Sequence, residues 1–169
     1  MAILNPEHLL EQAERLIARP RAGPPRQVDI RRAISSAYYA VLHATLTAAA
    51  DEFVGVSLRS DRRYGLVHRS VDHRALADLC AEAVRHHTSP RFARYSPDAG
   101  FGAGLQAFAA VALDLQEKRI AADYDPMIRV RTADARVAID TARVALRTLA
   151  AAPDDRRRSF LALLLFRSR

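Results

Sequence analysis

The stretch TADARVAIDTARVALRTL, residues 132–149, decides the fold class. Its Ala135, Ala138, Ile139, Ala142, Ala145, Leu146 and Leu149 recur at steps of three and four, the spacing that stacks side chains on one face of an α-helix. Thr132, Ala133 and Asp134 open that helix, and Pro153 stops it. Outward from it, the same period recurs and a period of two is nowhere sustained over a strand's length. The sequence therefore predicts an all-α protein, an up-and-down bundle of four to five main helices with short satellites.

Upstream, Asn5 and Pro6 form a start signal for a short helix over 6–19, carried by Leu9, Leu10, Ala13, Leu16 and Ile17. Three prolines and a glycine over 20–26 predict a loop. A second helix begins near Asp29 and runs to Val54-Gly55, with Ala33, Ala37, Tyr38, Val41, Ala44, Thr45 and Ala48 on one face. A third is expected from about Asp61 to His87 through Val67, Leu76, Leu79, Cys80 and Val84. Residues 88–104, rich in glycine and Ser-Pro, read as a long loop pinned by Phe92, Tyr95 and Phe101. A fourth helix from Leu105 carries Phe108, Ala109, Ala112, Leu115 and then Arg119 along one side, until Asp125-Pro126 ends it. The tail, 154–167, reads as a sixth helix, acidic at its start and basic at its end. One domain over 1–169, with its core in about 28–152, suits a chain of 169 residues.

Half of the residues are apolar and 27% are charged, which excludes disordered and low-complexity classes. A single cysteine, Cys80, permits neither an internal disulfide nor a thiolate zinc cluster and suits a reducing, cytoplasmic setting. The longest apolar run, Phe160 to Phe166, falls short of the ~20 residues of a membrane span. The net charge of +7 favours acidic partners such as RNA, DNA or anionic surfaces, although Lys118 is the only lysine and the arginine excess also fits a compositional bias.

Metal and hydrolase chemistry find little support. Glu82 and His86 or His87 miss the i, i+3 spacing of carboxylate-bridged bundles, and adjacent histidines project about 100° apart on a helix. No metal or other cofactor is expected. Cys80 sits among apolar residues, where a thiol is inert, and no nucleophile elbow or phosphate-binding glycine loop is present.

Three constellations remain. Tyr39 and His43, four apart, share a helix face with Arg32, Ser35 and Ser36 nearby; the alternative is ordinary packing with satisfied hydroxyls. Arg119 and Asp123 form an i, i+4 pair beside Tyr124, either an internal salt bridge or an arginine held by a carboxylate with donors left for a phosphate. Arg63 and His68 could serve as phosphate clamp and general acid or base for metal-independent RNA cleavage, but an arginine-rich chain produces such pairs at random.

The segment 31–44, RRAISSAYYAVLHA, followed some seventy-five residues later by RIAADYDP over 119–126 and a final amphipathic helix, resembles the HEPN superfamily, the higher eukaryotes and prokaryotes nucleotide-binding domain. The resemblance covers roughly residues 28–152. It implies a helical bundle, often a homodimer, in a superfamily with many members in toxin–antitoxin, antiviral and RNA-processing systems, several of them ribonucleases with an Arg-x4–6-His motif. Arg119 stands at the arginine of that motif, and Asp123 and Tyr124 stand where its histidine would be. The reading that follows is a module that binds RNA, a nucleotide or a partner protein such as an antitoxin, with Arg119, Asp123, Tyr124, Tyr39 and His43 lining one pocket. Alternatives are a ribonuclease acting through Arg63 and His68, and an interaction subunit assembled through Phe160, Leu161, Leu164 and Leu165.

Overall fold

The computed structural model describes residues 4–18, 23–85 and 89–166, except for the side chain of Arg91. It is all-helical, with no strand among the described residues, and the helices pack as a bundle. In chain order they are α1 (Pro6–Ile17), α2 (Gln27–Phe53), α3 (Arg62–Arg69), α4 (His73–Ala83), α5 (Pro90–Ala93), α6 (Gly102–Tyr124), α7 (Thr132–Ala150) and α8 (Asp154–Leu165), with a 3-10 turn over Val56–Leu58.

The long helix α2 is the axis of the molecule and packs against α1, α3, α6, α7 and α8. The sequence places one apolar face on it. The structure buries more of its circumference: Ile34, Leu42 and Leu46 join Ala33, Ala37, Tyr38 and Val41 in the core, while Ala44 and Ala48 lie half-buried. A helix surrounded by partners is covered on most sides, and a one-face reading undercounts it. Alanine makes this crowding sterically feasible. Ala33, Ala37, Ala40 and Ala49 of α2 and Ala135, Ala138 and Ala142 of α7 have no exposed surface, so the backbones approach with nothing larger than a methyl group between them.

The expected third helix over 61–87 is two helices in the structure. α3 starts as anticipated, with the Asp61 carboxylate accepting from Arg63 N at 2.7 Å, but it stops at Arg69. Ser70, Val71 and Asp72 turn the chain, and the Asp72 side chain accepts from Ala75 N at 2.7 Å to start α4. This second N-cap is the physical reason for the break, since an aspartate accepting two or three residues on competes with helix continuation. Both His86 and His87, at the anticipated end, lie outside the described residues.

Other boundaries move less. α2 begins at Gln27, two residues before Asp29, and the loop over 88–104 contains the single turn α5. Of the three aromatics expected to pin that loop, Phe101 is buried and Phe92 half-buried, whereas Tyr95 is exposed. α6 starts at Gly102, where φ is +79° and the Arg156 guanidinium occupies the space a Cβ would need. The positive φ favours glycine there, whereas the Arg156 guanidinium ends a flexible side chain that can shift aside. The ring of Phe160 meets those of Phe101 and Phe108 edge-on at 5.7 and 5.9 Å. Phe160, Leu161 and Leu164 are buried and Leu165 packs on the same core, so the tail covers the chain's own interior. No helix among the described residues is long and apolar enough to cross a membrane.

Candidate functional site: an arginine, tyrosine and histidine cleft

α2 and α6 cross so that the C-terminal turn of α6 faces the first half of α2. Arg31 fastens this junction. Its guanidinium donates to Ala122 O at 3.3 Å, Pro126 O at 3.5 Å and Ile128 O at 2.5 Å, supplying a positive charge where the carbonyls of α6 run out of partners. One helical turn further along α2, the Ser35 hydroxyl donates to Asp123 Oδ1 at 2.5 Å.

Arg119 lies between these helices with 13% of its side chain exposed. Nη2 donates to the Tyr39 hydroxyl at 2.7 Å, and Nε lies 2.9 Å from Asp123 Oδ2. The Nε–H is poorly aligned for that oxygen, so the contact is an ion pair and not a hydrogen bond, and the donor has no acceptor among the described residues. The guanidinium carbon sits 5.4 Å from the ring centre of Tyr39 and 5.4 Å from that of Tyr124. Burial works against the charge, but the Tyr39 hydroxyl and Asp123 outweigh it and hold the guanidinium above its ordinary pKa. Arg119 therefore faces α2, in line with the apolar stripe of α6.

The cleft around this group has a volume of about 790 Å³. Arg32 and Arg129 stand exposed on its wall, and neither forms an ion pair among the described residues. Tyr124, mostly exposed, forms its outer lip. Asp123 is the carboxylate of the cleft and is already engaged on both oxygens.

Beyond Tyr39, three imidazoles from three helices gather. His43 of α2 stacks on His68 of α3, with ring centres 5.5 Å apart and planes at 26°. His73 of α4 accepts or donates through Nδ1 at 2.8 Å to the Tyr38 hydroxyl and meets the Tyr39 ring edge-on at 5.7 Å. Burial lowers the pKa of all three; for His43 the neighbouring His68 and His73 add to it, and for His73 the charge of Arg119 does. Burial also pushes the Tyr38 phenol up to about 12. The three histidines are therefore neutral at pH 7 and above.

Of the residues singled out in the sequence, Tyr39, Arg119, Asp123 and Tyr124 line the cleft, whereas His43 is not part of its lining and lies behind Tyr39, with ring centres 6.4 Å apart. His68 reaches His43 from α3. Arg63 does not reach His68 in this way; its guanidinium is exposed and doubly bonded to Asp61 at 3.0 Å, and five residues along a helix place the two side chains about 140° apart. Three contributors escaped the sequence reading. Arg31 gives no signal beyond being one arginine among many. His73 and Tyr38 come together only because the break at 70–72 re-aims α4, which a continuous helix would not predict. Among the described residues no group of three or more histidine, cysteine, aspartate or glutamate side chains is placed to hold one metal ion.

The fold and site define an all-helical bundle with a basic, aromatic cleft between its two longest helices. Comparison with protein-family models, with curated proteins and with solved structures finds no match.

Proposed function

We propose that this chain is a HEPN-like helical module that binds RNA or a nucleotide in the cleft between α2 and α6. One observation carries the reading: Arg119 is fixed by Tyr39, Asp123 and Tyr124 at the centre of a cleft whose wall presents Arg32 and Arg129 without carboxylate partners among the described residues. A fixed guanidinium with free arginines around it suits phosphate oxygens, and the exposed ring of Tyr124 offers a surface on which an unpaired base stacks. The resemblance to HEPN proteins adds a toxin–antitoxin, defence or RNA-processing setting, a homodimer and an antitoxin or other protein partner to the same proposal.

Polarisation of a labelled ten-nucleotide RNA, titrated with protein across a salt series, tests it. Binding should weaken steeply with salt, and Arg32→Gln and Arg129→Gln should each reduce the logarithmic slope by up to about 0.7. A wild-type protein that binds neither this RNA nor a nucleoside triphosphate at low salt rejects the reading.

A second reading, metal-independent ribonuclease, is favoured by the gathering of His43, His68 and His73 beside Tyr39 and Arg119. A neutral imidazole can take the proton of a 2′-hydroxyl while arginine stabilises the charge that develops on phosphorus-bound oxygens. In this version His68 retains the acid–base role, and Arg119, which lies beside Tyr39 and acts on His73, replaces Arg63 as the cation. Cleavage of RNA in EDTA that is lost in His68→Ala and retained in Arg63→Ala would establish it; no cleavage by the wild type excludes it and leaves binding.

A further inference from the structure

α3 is held to the bundle in an unusual way. It has eight residues, too few to persist as a helix without tertiary contacts, and it packs chiefly on α2. Val67 packs on the core, and two side-chain contacts join the helix to α2. Buried Tyr64 donates to Asp51 at 2.9 Å near the start of the helix, and His68 stacks on His43 near its end. Leu66, between them, is 70% exposed. The segment is bounded by the 3-10 turn on one side and by the break at 70–72 on the other, so it can move without dragging another helix.

The His43 end cannot accommodate charge. His43 Nδ1 is buried and has no hydrogen-bond partner among the described residues, so a proton placed there finds no acceptor. A proton on both rings would set two cations face to face. The groups looking onto the pair do not compensate. From α2 the Tyr39 ring stands 6.4 Å from that of His43, centre to centre. From α4 comes His73, which itself adds to the lowering at His43. On α6, Arg119 lies beside Tyr39 and adds to the lowering at His73, and Asp123 is already held by Arg119 and Ser35. Asp72 lies beside His73 and caps α4, and Asp51 serves the far end of α3, where it is bound to Arg59 and Tyr64.

We propose that α3 is a pH-released flap, which lifts from α2 when the stacked His43–His68 pair takes up a proton and thereby uncovers the face of α2 that carries His43. The direction follows from linkage. Both imidazoles have lowered pKa in the closed form, and once α3 has lifted they return towards the ordinary value of about 6.5. The open form therefore binds more protons. Closure is complete above pH 6.5 and weakens as pH falls below it, by up to about tenfold per pH unit for each histidine. α4 stays in place because Leu76, Leu79 and Cys80 anchor it in the core independently of any imidazole.

Amide hydrogen exchange on the full chain, followed by mass spectrometry at pH 7.5, 6.5 and 5.5 and corrected for the intrinsic rate, tests this without any ligand. Protection over 62–69 should fall at least about tenfold between pH 7.5 and 5.5 while 132–150 keeps its protection. His43→Phe with His68→Phe preserves the stacked rings, removes the protons and should abolish the fall; His68→Phe alone, a change at a half-buried position, should reduce it. Protection of α3 that does not change with pH overturns the proposal. So does a fall shared equally by α7, or one that survives undiminished in the double phenylalanine variant.

Discussion

The Tyr39 hydroxyl accepts from Arg119 Nη2 at 2.7 Å while its ring lies against the same guanidinium, 5.4 Å from ring centre to guanidinium carbon. One tyrosine thus fixes both the direction and the plane of the central cation. Tyr39→Phe keeps the ring contact and removes the acceptor, which should destabilise the fold by about 1–2 kcal/mol in urea titrations. In a double-mutant cycle with Arg119→Met the two residues should couple by about 0.5–2 kcal/mol. Strict additivity would show that the contact contributes nothing.

Tight helix approach makes a separate prediction. Ala142 has no exposed surface, so Ala142→Leu must force α7 away from its neighbours and should cost about 1–3 kcal/mol. Val144→Leu, on the exposed side of the same helix, should change the urea midpoint little. Equal effects at the two positions would contradict the observed packing.

Cys80 is fully buried in the core, and its thiol is pushed up to about 12 by that burial. The native protein should resist alkylation by iodoacetamide at pH 8, and reaction should appear only in denaturant. Rapid labelling of the folded protein would mean that α4 opens far more readily than its contacts suggest.

Global stability should depend on pH in a defined direction. His43, His68 and His73 all have folded pKa values below their unfolded ones, so the unfolded chain binds more protons as pH drops below about 6.5. The stabilisation from keeping them neutral is complete above that value and is lost as pH falls through the folded pKa values. The urea midpoint should be lower at pH 5.5 than at pH 7.5, and His73→Phe should narrow the gap. An equal or higher midpoint at pH 5.5 would refute the linkage.

Much of the architecture is legible in the sequence because helices declare themselves by period and punctuation. The stripe of Ala135 to Leu149 and the stop at Pro153 define α7 almost to the residue. The break between α3 and α4 is harder to read. Its signal is a single aspartate, Asp72, whose capping role depends on a backbone turn that the apolar pattern does not mark. Around the cleft, Tyr39 and His43 stand out as an i, i+4 pair on one helix face, Arg119 because it continues an apolar stripe, and Asp123 as the carboxylate four residues after it. Their contacts across helices depend on rotation and crossing angle, which single helices do not encode. That is why Arg63 looked like a partner for His68 although its nearest acceptor, Asp61, is only two residues away.

Arg31 spans 91 residues of chain to reach Ala122, and Gln27 spans 103 to exchange two hydrogen bonds with Val130. During synthesis the α2 wall of the cleft, with Arg32 and Tyr39, therefore emerges from the ribosome long before the arginine that completes it. Such distant closure carries an entropic cost that local helix formation does not. The cleft is consequently among the last features to assemble, and a nascent or truncated chain ending before α6 has one wall of the site and none of its central charge.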